Sequence, residues 1–436
     1  MTTYLAYFSF FLLIFLTVKP IIWVCASVLL DYWASSYPVG PVPLRNYLVP
    51  LLLLLGIIKS ATSRSFIKFD RNAAKLIIVC ILFITFAILC RAYHDEPLKP
   101  FIGRIIVPFF VMLCCVYFVD TISRLKMFLY TIGAAIIGSS LVGIAQFFHL
   151  SWAWDLHTAL NPDILLNEKI PDIYNRERIA GLSGLSIQFG YALCAFVPVF
   201  LLLSQAKNSF SKRSRGFFLA TFFSGGFAIL LTLSRSAILG TTIGLIWVLL
   251  KNYKLTTKIS LILTTIVFFS LIALTPAVSD RITTNDDSSR GTLARIVLGT
   301  SMAVENPLGT GGGSSSAFWE SAEKHWSEIF EMEGSQSVNI EASHNQFLNT
   351  AIYYGIWGFA LLLLLYHYTF RLLAVPVMRE NDLISNCMIG AKASLIGYTV
   401  HSLFHNAGPF IGEQHIWYLL ATIIIINRLN SAYAKN

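Results

Sequence analysis

Charge is what this 436-residue chain has least of: Asp, Glu, Lys and Arg make up 13% of it, against 56% hydrophobic residues. A water-soluble domain carries about 25% charged residues, so a soluble globular protein is excluded. The seven cysteines, at positions 25, 80, 90, 114, 115, 194 and 387, fall in or at the ends of apolar runs and show no C-x-x-C spacing. That excludes a disulfide framework and a thiolate metal site. A Gly-x-x-x-x-Gly-Lys phosphate loop and a His-Glu-x-x-His motif are also missing. Among the polar segments, Asp286-Asp287 comes nearest to a metal-binding carboxylate pair, and it reads as a solvated turn. Nucleotide-driven and metal-assisted chemistry have little support.

What the chain has is apolar length. At about 20 residues per crossing, it offers twelve spans: about 4–30, 46–58, 73–91, 102–119, 126–148, 184–204, 215–233, 235–250, 258–276, 346–367, 385–404 and 412–428. Lys19-Pro20 and Pro50 interrupt the first two. The expected fold is an all-α polytopic membrane protein, one integral membrane domain over 1–436. A large loop, 276–345, separates helices nine and ten. Lys and Arg collect in alternate loops, such as Lys59 to Arg71, Lys207 to Arg215 and Lys251 to Lys258. The enrichment of cytoplasmic loops in these residues puts both termini inside. Met1-Thr-Thr-Tyr has no positive side chain, so the first span reads as retained rather than cleaved. The net charge of +9 follows from this topology and calls for no nucleic-acid partner.

The chemistry belongs to the outward segments. The first long one, about 150–183, holds Trp152 and Trp154, suited to the headgroup belt, and ends in Asn175-Arg-Glu-Arg-Ile-Ala-Gly-Leu-Ser-Gly184. The second, about 276–343, contains an amphipathic helix over Gly291 to Asn306, the turn Asn306-Pro-Leu-Gly-Thr-Gly-Gly-Gly313, and a helical piece from Ala317 to Met332. Between spans seven and eight lies only Thr232-Leu-Ser-Arg-Ser-Ala237, which pins Arg235 at the outer surface, where an unpartnered charge is costly. Arg178 and Arg290 are further outward arginines beside glycine-containing turns. Arginine forks match phosphate oxygens, and backbone N–H groups of a glycine-rich turn, here around Thr310 and Gly312, can add donors. Glu341-Ala-Ser-His-Asn-Gln-Phe-Leu-Asn-Thr350 places His344 at the mouth of a span, ready to titrate near neutral pH. An interfacial histidine between the N-cap types Ser343 and Asn345 is the structural alternative. His401 and His405, with His415, surround the last outward hairpin. They read as support or acceptor binding, since no thiolate or carboxylate set accompanies them.

Three blocks then resemble a known family. Leu233-Ser-Arg-Ser-Ala-Ile-Leu-Gly240, Ser289-Arg290 followed by the 306–313 turn, and Ser343-His-Asn-Gln-Phe-Leu-Asn349 running into Gly355-x-x-Gly358 are similar to successive blocks of the O-antigen ligase superfamily. After Arg178-x-x-Gly181 that family often has Pro-Asn, where this chain has Ser186-Ile-Gln188. The resemblance implies a bacterial inner-membrane glycosyltransferase with its active site facing the periplasm and no cofactor or metal. The donor is then a glycan on undecaprenyl diphosphate and the acceptor lipid A core or another glycan, both presented among membrane lipids. Arg178, Arg235 and Arg290 match the family's diphosphate-holding arginines and His344 its proposed base; Thr310, Gly312, His401 and His405 would support them. O-antigen ligase is the leading expectation, and a polymerase on the same donor the alternative. A transporter is disfavoured because the spans lack paired charges, Lys19 and Lys392 lying near ends.

Overall fold

Long apolar runs opened by a capping side chain become helices here. Asp70, Thr121, Ser211, Ser315 and Asn345 each accept a hydrogen bond from a backbone N–H of the first turn that follows, which satisfies donors the helix leaves orphaned. The computed structural model describes residues 19–34, 38–39, 42–63, 69–162, 178–252, 287–325, 343, 345–375, 382–405 and 414–433. In chain order the helices are α1 (Pro20–Trp33), α2 (Leu44–Ser63), α3 (Arg71–Tyr93), α4 (Leu98–Phe118), α5 (Ile122–Phe147), α6 (Ser151–Leu160), α7 (Ser186–Cys194) and α8 (Val197–Leu203). They continue as α9 (Lys212–Leu231), α10 (Arg235–Asn252), α11 (Asp287–Glu305), α12 (Ser316–Lys324), α13 (Gln346–Leu373), α14 (Asp382–Ser402) and α15 (His415–Tyr433).

Among the described residues, six helical stretches are long and apolar enough to cross a membrane: α3, α4, α5, α7 with α8, α9 and α13. Shorter apolar helices are α1, the 48–59 part of α2 and the 235–250 part of α10. Helices α14 and α15 coincide with the last two expected spans, but Asp382 and Lys392 in one and His415, Asn427 and Arg428 in the other dilute their apolar character. The expected ninth span, 258–276, and most of the first lie outside the described residues. The expected helix over 291–306 is α11, and the piece expected over 317–332 is α12, described only as far as His325.

Helix α15 is the axis of the bundle. From Ile416 to Ile426 every residue is at most 2% exposed, as a helix apolar all round must be when it is surrounded by protein. It packs on α4 and α14; α14 packs in turn on α8 and α10, and α5 on α1 and α9. Where α10 crosses α14, an added Cβ on Gly240 would strike the Gly397 carbonyl, and one on Gly397 the Gly240 carbonyl. Two glycines therefore let these backbones touch, as small residues do in membrane helix pairs.

Helix α13 is not one straight rod. At Gly355 the backbone leaves helical geometry, with φ 62° and ψ −166°. A straight helix would hold Gln346 and Tyr366 about 30 Å apart. Instead the Tyr366 hydroxyl donates to Gln346 Oε1 at 3.1 Å and the Phe347 and Tyr366 rings stack at 5.3 Å. The first arm, 346–354, folds back along the second, 356–373. Apolar length alone therefore overstates the crossing made by α13, and only the second arm is of membrane length.

The break leaves backbone groups that a membrane interior would not satisfy. The turn after α11 takes them up. Thr310 N donates to Ile352 O and Gly311 N to Tyr353 O, both at 2.8 Å, while Ile356 N donates to Pro307 O at 2.9 Å. Gly309, Gly311 and Gly355 all have φ between 62° and 90°, and a side chain on Gly309 would meet Gly355 N at 2.6 Å. Replacing Gly355 with Ala therefore combines left-handed strain with a collision against Pro307 O. We expect Gly355→Ala to cost about 1–3 kcal/mol or more and to lower the melting temperature of the purified protein. Gly226→Ala, at a helical site with nothing within 4 Å, is the control and should leave it unchanged or raise it.

Candidate functional site

Arg178 opens a short extended segment held from behind by polar side chains of α5 and α6. Gln146 clamps the backbone at Ala180 and Gly181: its Oε1 accepts from Ala180 N and Gly181 N at 3.0 and 2.9 Å, and its Nε2 donates to Gly181 O at 2.8 Å. His157 Nδ1 meets the same carbonyl at 3.0 Å, and Ser139 Oγ accepts from Leu182 N at 2.9 Å. Gly181 has φ 59°, and an added Cβ would lie 2.6 Å from Ser139 Oγ, so glycine is required there. The clamp aims Arg178 at the end of α9, where its Nε donates to Thr232 O at 3.1 Å.

Thr232 opens the tight hairpin that carries Arg235. Its turn runs through Leu233 at φ 51°, an unusual backbone for a branched residue. Arg235 itself is exposed at the first turn of α10. One turn further on, Gly240 lies against His401 near the end of α14, its would-be Cβ 3.3 Å from His401 Cβ. His401 is fully buried, its ring 3.7 Å from that of Tyr191, and Tyr191 also contacts His405 at 5.1 Å. Neither ring nitrogen of His401 has a hydrogen-bond partner among the described residues.

The end of α14 also receives the start of α13. Asn345 caps α13, accepting from Leu348 N at 3.1 Å, and its Nδ2 donates to Leu403 O at 3.1 Å. Ser343 donates through N and Oγ to Asn349 Oδ1 at 3.0 and 2.7 Å. Gly299 of α11 packs on Ser343 and Leu348, with a would-be Cβ 2.8 Å from each. His344 lies outside the described residues. So the backbone on either side of position 344 is fixed beside Leu403, at the level of Tyr366, rather than at the apex of the α13 break. Arg290 falls in the first turn of α11, and its side chain is outside the described residues.

The segments of Arg178, Arg235, His401, His405 and the neighbours of His344 thus meet at one end of α14, with the Arg290 helix laid against the same arm of α13. The glycine-rich turn lies at the other end of the first arm of α13, against Gly355. Its N–H groups at Gly309, Thr310, Gly311 and Ser314 all donate within the protein, to Asn306 O, Ile352 O, Tyr353 O and Glu96 Oε1. Thr310 is buried, and Gly312 packs against Arg91 and Glu96. Thr310 and Gly312 therefore brace a helix break. Four residues escaped the sequence reading: Gln146 and His157, which hold the Arg178 segment, and Arg91 and Glu96, which hold the turn. An amide within an apolar run and an Arg-x-x-x-x-Glu pair at a span end are the only sequence signals of them.

Apolar helices in this number define a multi-pass membrane protein. Residues 219–363, from within α9 to the second arm of α13, match the family model described as O-antigen ligase (Wzy_C). That match supports membership of the O-antigen ligase superfamily, whose ligases and polymerases are bacterial membrane glycosyltransferases. No curated protein matches the chain.

His157 gives the site a pH dependence. It is 2% exposed, and burial lowers its pKa below the usual 6.5, opposed by its bond to Gly181 O. The unfolded chain then binds the proton more readily than the folded one, so stability is complete above about pH 6.5 and declines below it. Thermal unfolding of the wild type should show that decline. His157→Asn, which can still donate to Gly181 O but does not titrate, should lose that part of the pH slope.

Proposed function

We propose that this protein transfers a glycan from undecaprenyl diphosphate to an acceptor hydroxyl, as an O-antigen ligase of the inner membrane joining O-antigen to lipid A core. Both termini face the cytoplasm, and the 276–345 region carries part of an active site open to the periplasm. The observation that carries this proposal is the meeting, within and beside the matched residues 219–363, of the Arg178 and Arg235 segments with Ser343 and Asn345 at the end of α14.

In the proposed reaction His344 takes the proton of the acceptor hydroxyl as that oxygen attacks the anomeric carbon. The bond from that carbon to the diphosphate breaks, and Arg178, Arg235 and Arg290 take up the charge developing on the leaving group. The arginines do the work a divalent ion does in other transferases, so no metal or cofactor takes part. One displacement inverts the anomeric configuration, and no glycosidase-like carboxylate pair is needed. A polymerase that extends the glycan on its carrier would use the same donor and residues. A deletion strain separates the two: without a ligase long chains remain on the carrier, without a polymerase single repeats do.

We expect His344→Ala to insert normally and to lower turnover by about two to four orders of magnitude; near wild-type turnover would remove His344 from the base role. Arg235→Lys keeps the charge but loses the planar fork. It should weaken donor binding by about tenfold or more while acceptor binding holds. Unchanged donor affinity at normal abundance and thermal stability would reduce Arg235 to a topological anchor.

A further inference from the structure

Glu96 is a carboxylate whose side chain is 1% exposed, at the expected outer end of α3 and far in sequence from every block discussed above. Burying a charge is costly unless it is paired and hydrogen-bonded, so its partners should explain it. Arg91 Nη2 lies 3.7 Å away, and Arg91 is only 12% exposed itself. Ser314 N donates to Glu96 Oε1 at 2.6 Å. The chain reaches this position through a helix C-cap, Asp95 at φ 52° with Glu96 N donating to Arg91 O at 2.9 Å, which fixes Glu96 relative to Arg91. Arg91 is held in turn, donating from Nη2 to Pro97 O at 2.8 Å and lying over the Phe101 ring at 5.6 Å.

The pair closes on the turn that splices the α13 break. Gly312 lacks a side chain where Glu96 Oε1 and Arg91 Nη1 approach, and Gly311 does so where His94 approaches, with a would-be contact of 2.6 Å. One residue before Arg91, the Cys90 thiol donates to Tyr353 O at 3.3 Å, the carbonyl that Gly311 N also bonds. End of α3, turn and break thus form one hydrogen-bonded unit around the apex of α13.

We propose that Glu96 is a positioning residue for the transfer site: with Arg91 it locks the 306–314 turn onto the Gly355 break and so sets the direction of the 346–354 arm. This rests on the transferase reading above for its consequence and on the apex contacts for its geometry. The arm is nine residues, about 13 Å long, and too short to be stable by itself. A tilt of about 5° at its apex moves its far end by about 1 Å. That far end is the Ser343–Asn345 segment, and a displacement of this size can cost about a hundredfold in rate.

The test uses the purified full-length protein. Glu96→Ala should raise amide hydrogen exchange in both 306–315 and 346–354 by about tenfold or more. It should also lower kcat by about a hundredfold with the KM for lipid-diphosphate glycan nearly unchanged, because no donor contact is lost. Arg91→Gln combined with Glu96→Gln leaves neither charge stranded and should recover much of the loss. Unchanged exchange in 346–354, or a lower melting temperature with normal kcat per folded molecule, would overturn the positioning role. If the wild type transfers no glycan yet Glu96→Ala still loosens 346–354, the transferase reading fails and the hold on the arm stands.

Discussion

The structure depends on how a membrane protein accommodates a broken helix. In hydrocarbon an unpaired peptide group has no solvent to turn to, so irregular backbone persists only where protein buries it or water reaches it. Here the break at Gly355 is met strand-fashion by residues 307–311. Three backbone hydrogen bonds replace those lost to the break, and three glycines in left-handed geometry make the approach close enough. Without that splice the first arm of α13 could not fold back. With it, the start of α13 is returned to the side of the bundle, against α14.

That return brings the site's parts together. The end of α14 is shared ground: Gly240 of the Arg235 helix touches it from one side, and Asn345 bonds it from the other. Arg178 joins through Thr232 O, at the base of the Arg235 hairpin. The segments proposed to act are therefore tied to helices or helix ends, as pre-organised chemistry requires. The cap of α11, turn and α12 has a small apolar cluster of its own, with Leu298, Met302, Phe318 and Ala322 around Ile352. It presses on the first arm independently of the main core.

Much of this was legible in the sequence, for reasons that differ by residue. Helix α11 was legible because Leu293, Ile296, Val297 and Met302 repeat at helical spacing, and α5 and α9 because apolar runs of membrane length mark them. The cysteines, whose spacing offers no disulfide framework, are all seven free and buried. The break in α13 was not legible. Gly355 and Gly358 sit in an uninterrupted apolar run, and glycine in such a run reads as a packing contact as readily as a reversal. The 306–313 turn showed its glycines but not their use, because a row of backbone donors suits an anion and a broken helix equally well. Gln146 and Glu96 act on segments 34 and 218 residues away, and pairings at that separation leave no local pattern.

The central claim, that this end of α14 carries metal-independent glycan transfer from a lipid diphosphate, is tested most directly by reconstitution. Purified wild-type protein would be given a defined undecaprenyl-diphosphate glycan, with lipid A core or a second lipid-linked glycan as acceptor, in the presence of EDTA. Transfer with inversion at the anomeric carbon, undiminished by the chelator, is the expected result. No transfer to either acceptor would contradict the account, as would transfer that stops in EDTA and returns with Mg or Mn ions.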